Sequence, residues 1–218
     1  TRPEKYVGDP ELWQRAEGAL RSSIENSGLE YTIDEGGGAF YGPKIDVKIK
    51  DAIGRTWQCS TIQLDFYLPK RFQMTYTNSE GEKVAPILIH RAIMGSLERF
   101  FGILTEHYAG DFPVWLAPEQ ARILTISDRA VEAANELREL CHGMDLRVEI
   151  DTRNESLGKK IRDARLMRVP YLFVLGDREV DEGTAALRSR QGEQFGAMKH
   201  QEAAQWLAQK SLSPSLDL

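Results

Sequence analysis

Apolar residues recur along this chain with two periods, and the way they change divides it in two. Behind Asp9-Pro10, an N-cap residue followed by a first-position proline, Leu12, Trp13, Ala16, Leu20 and Ile24 keep helical spacing until Ser27-Gly28. Residues 29–34 alternate weakly as a strand and run into Gly36-Gly37-Gly38. Ile45, Val47 and Ile49 alternate with Asp46, Lys48 and Lys50, and the turn at 52–55 leads into residues 57–66, so a hairpin is expected. Phe72, Met74 and Tyr76 alternate again, Asn78-Ser79-Glu80-Gly81 turns, and residues 85–89 form a continuous apolar strand. Successive hairpins imply an antiparallel sheet. A helix from about Ile93 to His107 is expected to pack on it through Ile93, Leu97, Phe100, Phe101 and Leu104.

Gly110, Pro113 and Pro118 then interrupt the pattern, which places a domain boundary in 109–121 and two domains at 1–117 and 118–218. Beyond it strands and helices alternate: strand 123–126, helix 129–142, strand 146–150, helix 157–168, strands 171–175 and 184–189, and helix 200–211, with residues 211–218 frayed. That order predicts an α/β architecture, a mostly parallel sheet covered on both faces in a three-layer α/β/α arrangement.

The strand at 57–66 carries the first sign of chemistry. Strict alternation puts Trp57, Cys59, Thr61, Gln63 and Asp65 on one face and Gln58, Ser60, Ile62, Leu64 and Phe66 on the other. Gln and Asp among aromatics on a strand mark an exposed edge or the floor of a wet pocket. Gln58 and Gln63 fall on opposite faces and reach one pocket only if a bulge or bend intervenes.

Other candidates surround this strand. Tyr41-Gly42-Pro43-Lys44 puts a hydroxyl and an ammonium beside a glycine-rich turn, which suits a phosphate or carboxylate; a tight turn with a solvated lysine is the competing reading. His90 ends an apolar strand with no second His or Cys at ligand spacing, as a hydrogen-bonded structural histidine would. Ser96 and Arg99, three apart on the expected helix, could let a flat ring lie against it under the guanidinium, or Arg99 could pair with Glu98 or Asp65. In 153–168, Arg153, Lys159, Lys160, Arg162, Arg165 and Arg168 face only Glu155 and Asp163, a basic stripe that is either a solvated face or a phosphate contact. Asn154 before that helix and Glu179 after the next strand favour contact with unstacked bases.

The bulk figures restrict the setting. The 218 residues are 41% hydrophobic and 28% charged, values of an ordinary globular protein, and no apolar run approaches the roughly 18 residues of a membrane span. A net charge of −5 requires any nucleic-acid partner to be met by a local basic patch. Cys59 and Cys141 form neither a CxxC pair nor a disulfide framework, which makes a reducing cytoplasm the default. The start at Thr1-Arg2-Pro3 reads as the continuation of something upstream.

Together, Thr-Arg-Pro-Glu-Lys at 1–5, Gly-Ala-Phe-Tyr-Gly-Pro-Lys at 38–44, Trp-Gln-Cys-Ser-Thr-Ile-Gln-Leu-Asp-Phe at 57–66 and His-Arg-Ala-Ile-Met-Gly-Ser-Leu-Glu-Arg at 90–99 closely resemble the threonyl-tRNA synthetase family of class II aminoacyl-tRNA synthetases. The resemblance runs through essentially the whole chain. It implies that 1–117 is the C-terminal part of an antiparallel catalytic domain and 118–218 an anticodon-binding domain. Arg99 would stack on the ATP adenine as the motif 3 arginine, with Ser96 beneath the ring and Gln58 and Thr61 on the ribose and phosphate side. Arg99 and Gln58 are thus the implied catalytic residues. Tyr41 and Gln63 would border the threonine pocket, with Trp13 and Lys44 near it, and His90 would be a zinc ligand. Asn154, Arg162, Arg168, Glu179 and Arg188 match anticodon-contacting positions.

The implied partners are a threonine-accepting tRNA, threonine and ATP with Mg, in a cytoplasmic, homodimeric parent enzyme. Ser60 departs from the family's usual glycine and could crowd the pocket. The other two zinc ligands and the first two class II motifs would precede Thr1, so the isolated chain is expected neither to activate threonine nor to charge tRNA. A non-catalytic, anticodon-binding relative is the alternative, and a sister synthetase for histidine, proline or glycine a weaker third.

Overall fold

Asp9 starts helix α1 (Pro10–Asn26) in the computed structural model, which describes residues 1–212: its side chain accepts the N–H of Glu11, and Pro10 needs no partner at the first helical position. The helix buries Trp13 and Ala16 against Phe66, with Trp13 and Phe66 edge to face at 5.4 Å. Residues 29–34 form no strand: Leu29, Tyr31 and Ile33 are exposed, so their alternation has no surface to pack on.

Strands β1 (Lys44–Lys50) and β2 (Thr56–Asp65) form the expected antiparallel hairpin. Asp51 holds its turn, accepting the N–H groups of Ile53 and Arg55, Nε of Arg55 at 2.6 Å and Nε1 of Trp57 at 2.9 Å. Helix α2 (Tyr67–Arg71) follows, and Phe72 and Met74, expected in an alternating strand, lie in the turn and irregular chain beyond it. The buried Asp65 carboxylate gathers the N–H groups of Tyr67 and Leu68 and turns the chain into that helix. Only Tyr76–Thr77 (β3) pairs as strand, with Lys83–Val84 (β4), around a turn closed by Asn78.

The apolar strand expected at 85–89 lies instead at Leu88–Ala92 (β5), beyond Pro86, which lacks an N–H for a ladder. It completes a sheet in the order β1-β2-β5. Helix α3 (Leu97–Tyr108) starts later than its apolar spacing predicts, because Gly95 is left-handed (φ 67°) and Ser96 caps it, its hydroxyl accepting the N–H of Arg99. Ile103 is its buried residue, whereas Leu97 and Phe101, both expected to pack, are exposed.

A second compact unit begins at Tyr108, the first being Thr1–His107. Its elements are β6 (Ala121–Thr125), α4 (Val131–His142), β7 (Val148–Asp151), α5 (Leu157–Leu166), β8 (Tyr171–Leu175), α6 (Asp177–Glu182), β9 (Thr184–Ser189), β10 (Gln194–Lys199) and α7 (His200–Lys210). The sheet order is β10-β9-β8-β6-β7; β7, β6 and β8 are parallel, and β9 and β10 add antiparallel, so the sheet is mixed. Strand alternation separates two cores. Ile123, Phe173, Leu175 and Leu187 pack with Leu137 of α4 and Leu207 of α7, and on the other face Leu124 and Leu172 pack with Ala164 and Ile161 of α5. The β10 strand escapes the sequence pattern because Gly196, at φ 83°, breaks its alternation at a bulge. The fraying expected for 211–218 lies, from residue 213 on, outside the described residues.

Lys160 is the exception within the basic stripe. It is 2% exposed, and its ammonium donates to the carbonyls of Thr125 (2.7 Å) and Asp151 (3.1 Å), the last residues of β6 and β7. Lys160→Met is expected to destabilise the second unit by about 2–4 kcal/mol, read from urea unfolding, because both carbonyls lose a buried donor.

Asp51 makes the first unit sensitive to acid. The Trp57 indole N–H, opposed by desolvation and joined by Arg55, lowers its pKa from 3.8 to about 2. A depressed folded-state value means that its contribution is complete above the unfolded value and disappears as pH falls through about 2. Unfolding measured from pH 5 down to 2 should therefore show a smaller loss of stability in Asp51→Asn than in the wild type.

Candidate functional site

The β1–β2 ladder pairs Val47 with Ser60 but Lys48 with Gln58, so Cys59 is an extra residue on β2, a β-bulge. One added residue inverts the alternation. Before the bulge Gln58 takes the face that Thr61, Gln63 and Asp65 take after it, and Trp57 turns to the other side with Ile49. The same face receives Lys44, Asp46 and Lys48 from β1, and His90 from β5 opposite Gln63. Gln58 and Gln63 thus share a surface, and the strict division of 57–66 into two faces is corrected.

Hydrogen bonds link these groups into one array. Oδ1 of Asp46 accepts Nε2 of Gln58 (2.8 Å) and Oγ1 of Thr61 (2.9 Å), while Oδ2 takes the Lys44 ammonium. The Tyr41 hydroxyl donates to Oε1 of Gln63 at 2.9 Å, and its ring lies edge-on to His90 at 6.2 Å. Gly42 permits this placement, because a Cβ there would lie 1.7 Å from the Leu64 carbonyl oxygen. His90 meets the buried Asp65 carboxylate at 2.8 Å through Nε2. Burial pushes the Asp65 pKa up, but His90 and the N–H groups of Leu68 and Tyr67 outweigh it and hold it below the usual value. The array therefore keeps a carboxylate against an imidazole.

Of the expected site residues, Tyr41, Lys44, Gln58, Thr61, Gln63 and His90 lie together on this face. Trp13 does not: it is a core residue, 1% exposed, whose indole N–H donates to the Val7 carbonyl. Ser96 is the cap of α3, donating to Glu98 as well, and Arg99 extends over the Trp57 ring, 5.2 Å from its centroid. The hydroxyl of Ser60 donates to the Ile93 carbonyl just before that cap. Asp46 and the Asp65–His90 pair were not singled out as partners from the sequence; their signal was a carboxylate two residues from Lys44 and one at the end of β2, but only pairing shows what each faces.

Among the described residues no three His, Cys, Asp or Glu side chains are grouped to hold a metal. His90 does fit a single ligand position, since a carboxylate on one ring nitrogen orients the imidazole as metal-binding histidines require. No described helix is long and apolar enough to cross a membrane.

In the second unit all the expected residues except Arg162 lie at two edges of the sheet. Asn154 follows β7 and Glu179 follows β8, both at the carboxyl ends of the parallel strands, where exposed Ile126 follows β6. Open α/β sheets bind ligands at this edge. Glu179 also has a local task, accepting the Gly176 N–H at 3.0 Å at the start of α6. Arg168, left-handed at φ 61°, and Arg188, which pairs with Leu172, lie at the opposite edge. Nε of Arg188 is buried and has no hydrogen-bond partner among the described residues. Arg162 is exposed midway along α5, between the edges, and Arg165 donates to the Arg190 carbonyl. Arg153 is tied to Asp151 and then Asp163, which raise its pKa further.

The comparisons divide the chain in the same order. A model of the tRNA synthetase class II core domain (G, H, P, S and T) matches residues 4–108, and one of the anticodon binding domain matches residues 120–210. A protein named threonine–tRNA ligase from Sulfurihydrogenibium sp. is 57% identical over 190 residues, which is 87% of this chain and 30% of that protein. One of the same name from Magnetococcus marinus is 55% identical over 216 residues, 99% of this chain and 33% of that protein. The solved RNA binding domain of threonyl-tRNA synthetase from Cryptosporidium parvum superposes with a TM-score of 0.88 at 38% identity, covering 100% of this chain and 55% of that one. The chain spans about a third of the length of these curated relatives. With a bulged polar sheet face in the first unit, an open α/β sheet in the second and a family model matched to each, the chain belongs to the class II tRNA synthetases and carries a core segment followed by an anticodon binding domain.

Proposed function

We propose that this chain serves threonine–tRNA ligation, with 1–117 contributing one side of the ATP and threonine cleft and 118–218 reading the anticodon. The observation that carries the reading is the bulge at Cys59, which brings Gln58 to the sheet face that already bears Thr61, Gln63 and His90, with Tyr41 hydrogen-bonded to Gln63 beside it. The identity to proteins named threonine–tRNA ligase supports threonine as the substrate.

In this reading the Arg99 guanidinium stacks on the adenine of ATP, beside the Ser96 cap. Gln58 and Thr61, both held on Asp46, offer an amide and a hydroxyl to the ribose and phosphate side. Tyr41 and Gln63 border threonine, with the Lys44 ammonium, neutralised by Asp46, at the margin. His90, oriented by Asp65, would be this chain's ligand to a zinc ion, which when bound would supply a Lewis acid for the amino and hydroxyl groups of the substrate. A site that requires the hydroxyl rejects isosteric valine more strongly than an apolar pocket can.

The chemistry proceeds in two displacements. A threonine carboxylate oxygen attacks the α-phosphorus of Mg-bound ATP, forming the carboxyl–phosphate bond as pyrophosphate leaves. A terminal ribose hydroxyl of tRNA then attacks the acyl carbon, gives up its proton, and AMP leaves. The polar face holds both substrates in place for these steps, which is the larger part of what such a site contributes.

In the second unit Asn154 and Glu179 read base edges while Arg162, Arg168 and Arg188 hold the backbone. The two sheet edges are separated by a five-residue strand, about 17 Å, which a splayed trinucleotide and its flanks can follow.

Threonine-dependent ATP–pyrophosphate exchange in the full-length protein tests the reading. Exchange with threonine and little with valine is expected, and Gln58→Ala should lower kcat/KM at least about tenfold. No exchange alongside retained tRNA binding would leave only the non-catalytic, anticodon-binding reading. For the second unit, Asn154→Ala should narrow the affinity gap between threonine-accepting tRNA and an anticodon-swapped tRNA. Arg162→Ala should weaken both equally and reduce the salt slope by about one.

A further inference from the structure

Arg99 belongs to a stripe on α3 that its apolar spacing does not reveal. Arg99, Ile103 and Glu106 succeed one another by four and three residues, so they share a helix side, and all three face the β1–β2 hairpin end or the core. Ile103 is buried, the Arg99 guanidinium lies over the Trp57 ring at 5.2 Å, and Glu106 meets Arg55 at 3.7 Å. The Trp57 ring is itself held. Its indole N–H donates to Asp51, whose carboxylate is completely shielded and also binds Nε of Arg55, and the Arg55 guanidinium lies 5.5 Å from the same ring.

From these contacts we infer that Trp57 is the positioning residue for Arg99: a ring fixed in plane by Asp51 takes one face of the guanidinium and leaves the other for the nucleobase of ATP. An exposed arginine on a helix explores many rotamers, and ordering it costs conformational entropy at each binding event. Stacking on a tethered indole meets that cost before the nucleotide arrives, and a planar guanidinium is suited to a ring on each side. The Cys59 bulge is what makes this possible, because it turns Trp57 away from the polar face bearing Gln58 and toward α3. The inference rests on the reading that Arg99 receives the adenine.

Steady-state kinetics of the full-length protein, with ATP and threonine varied separately, test it. Trp57→Leu is expected to raise KM for ATP about two- to fivefold while leaving KM for threonine and kcat near the wild-type values. Trp57→Phe, which keeps a ring, should recover most of the loss, and Trp57→Leu should add nothing to KM for ATP in an Arg99→Ala background. Asp51→Asn, which keeps the ring and loosens its tether, should raise the same KM by a smaller factor, and it decides the matter if Trp57→Leu does not fold. If Arg99→Ala raises KM for ATP but the Trp57 and Asp51 variants change only thermal stability, Trp57 is a structural residue and the inference is overturned. An unchanged KM for ATP in Arg99→Ala would instead overturn the reading of Arg99, and the role of Trp57 with it.

Discussion

A single inserted residue, Cys59, governs the first unit. Without it the β1–β2 ladder would carry Gln58 to the face of Ile62 and Leu64, and Trp57 would crowd Asp46 and Thr61. With it, the polar side chains of three strands collect on one surface and the indole turns toward α3. The bulge is fixed from outside the hairpin as well. Gly95 lies so close that a Cβ there would stand 2.8 Å from the Cys59 carbonyl oxygen, and the neighbouring Ser60 hydroxyl bonds to Ile93. The start of α3 and the kink in β2 therefore depend on each other, and a substitution at Gly95 would disturb both.

Buried charge serves backbone ends throughout the chain. Asp51 closes the β1–β2 turn, Asp65 ends β2 and starts α2, and Lys160 gathers the last carbonyls of β6 and β7. Each is placed where a strand stops pairing and leaves groups that need a partner away from water. Two of the three also direct a residue of the proposed site, Asp51 through Trp57 and Asp65 through His90. Stability and site geometry are therefore coupled at these two carboxylates, so acid that protonates them would loosen the proposed site together with the fold around it.

The two units achieve order differently. The second has a core on each face of its sheet, separated by strict alternation along β6 and β8. The first relies on a small cluster around Trp13 and Phe66, and on hydrogen bonds across its polar face, while Val47, Ile62, Ile89, Leu97 and Phe101 are exposed. Polar satisfaction rather than apolar volume thus sets much of the geometry of the first unit, and one residue of register has large consequences there.

The sequence alone determined whatever depends on neighbours a few residues apart. Asp9-Pro10 starts α1, and the alternation of Ile123, Leu124, Leu172 and Phe173 sorts the second sheet into two faces. Several candidate residues were legible as well, since Tyr41, Gln58, Thr61, Gln63 and His90 occur within recognisable motifs. Tertiary structure decided what each of them faces. The bulge exists only in the offset between two paired strands, so strict alternation assigned Gln58 to the wrong side. Lys160 looks like one more surface cation until β6 and β7 end beside it, and the apolar spacing of α3 conceals that Arg99 and Glu106 point at the hairpin. Local spacing specifies which side of an element a residue occupies; only packing between elements distant in sequence determines what that side meets.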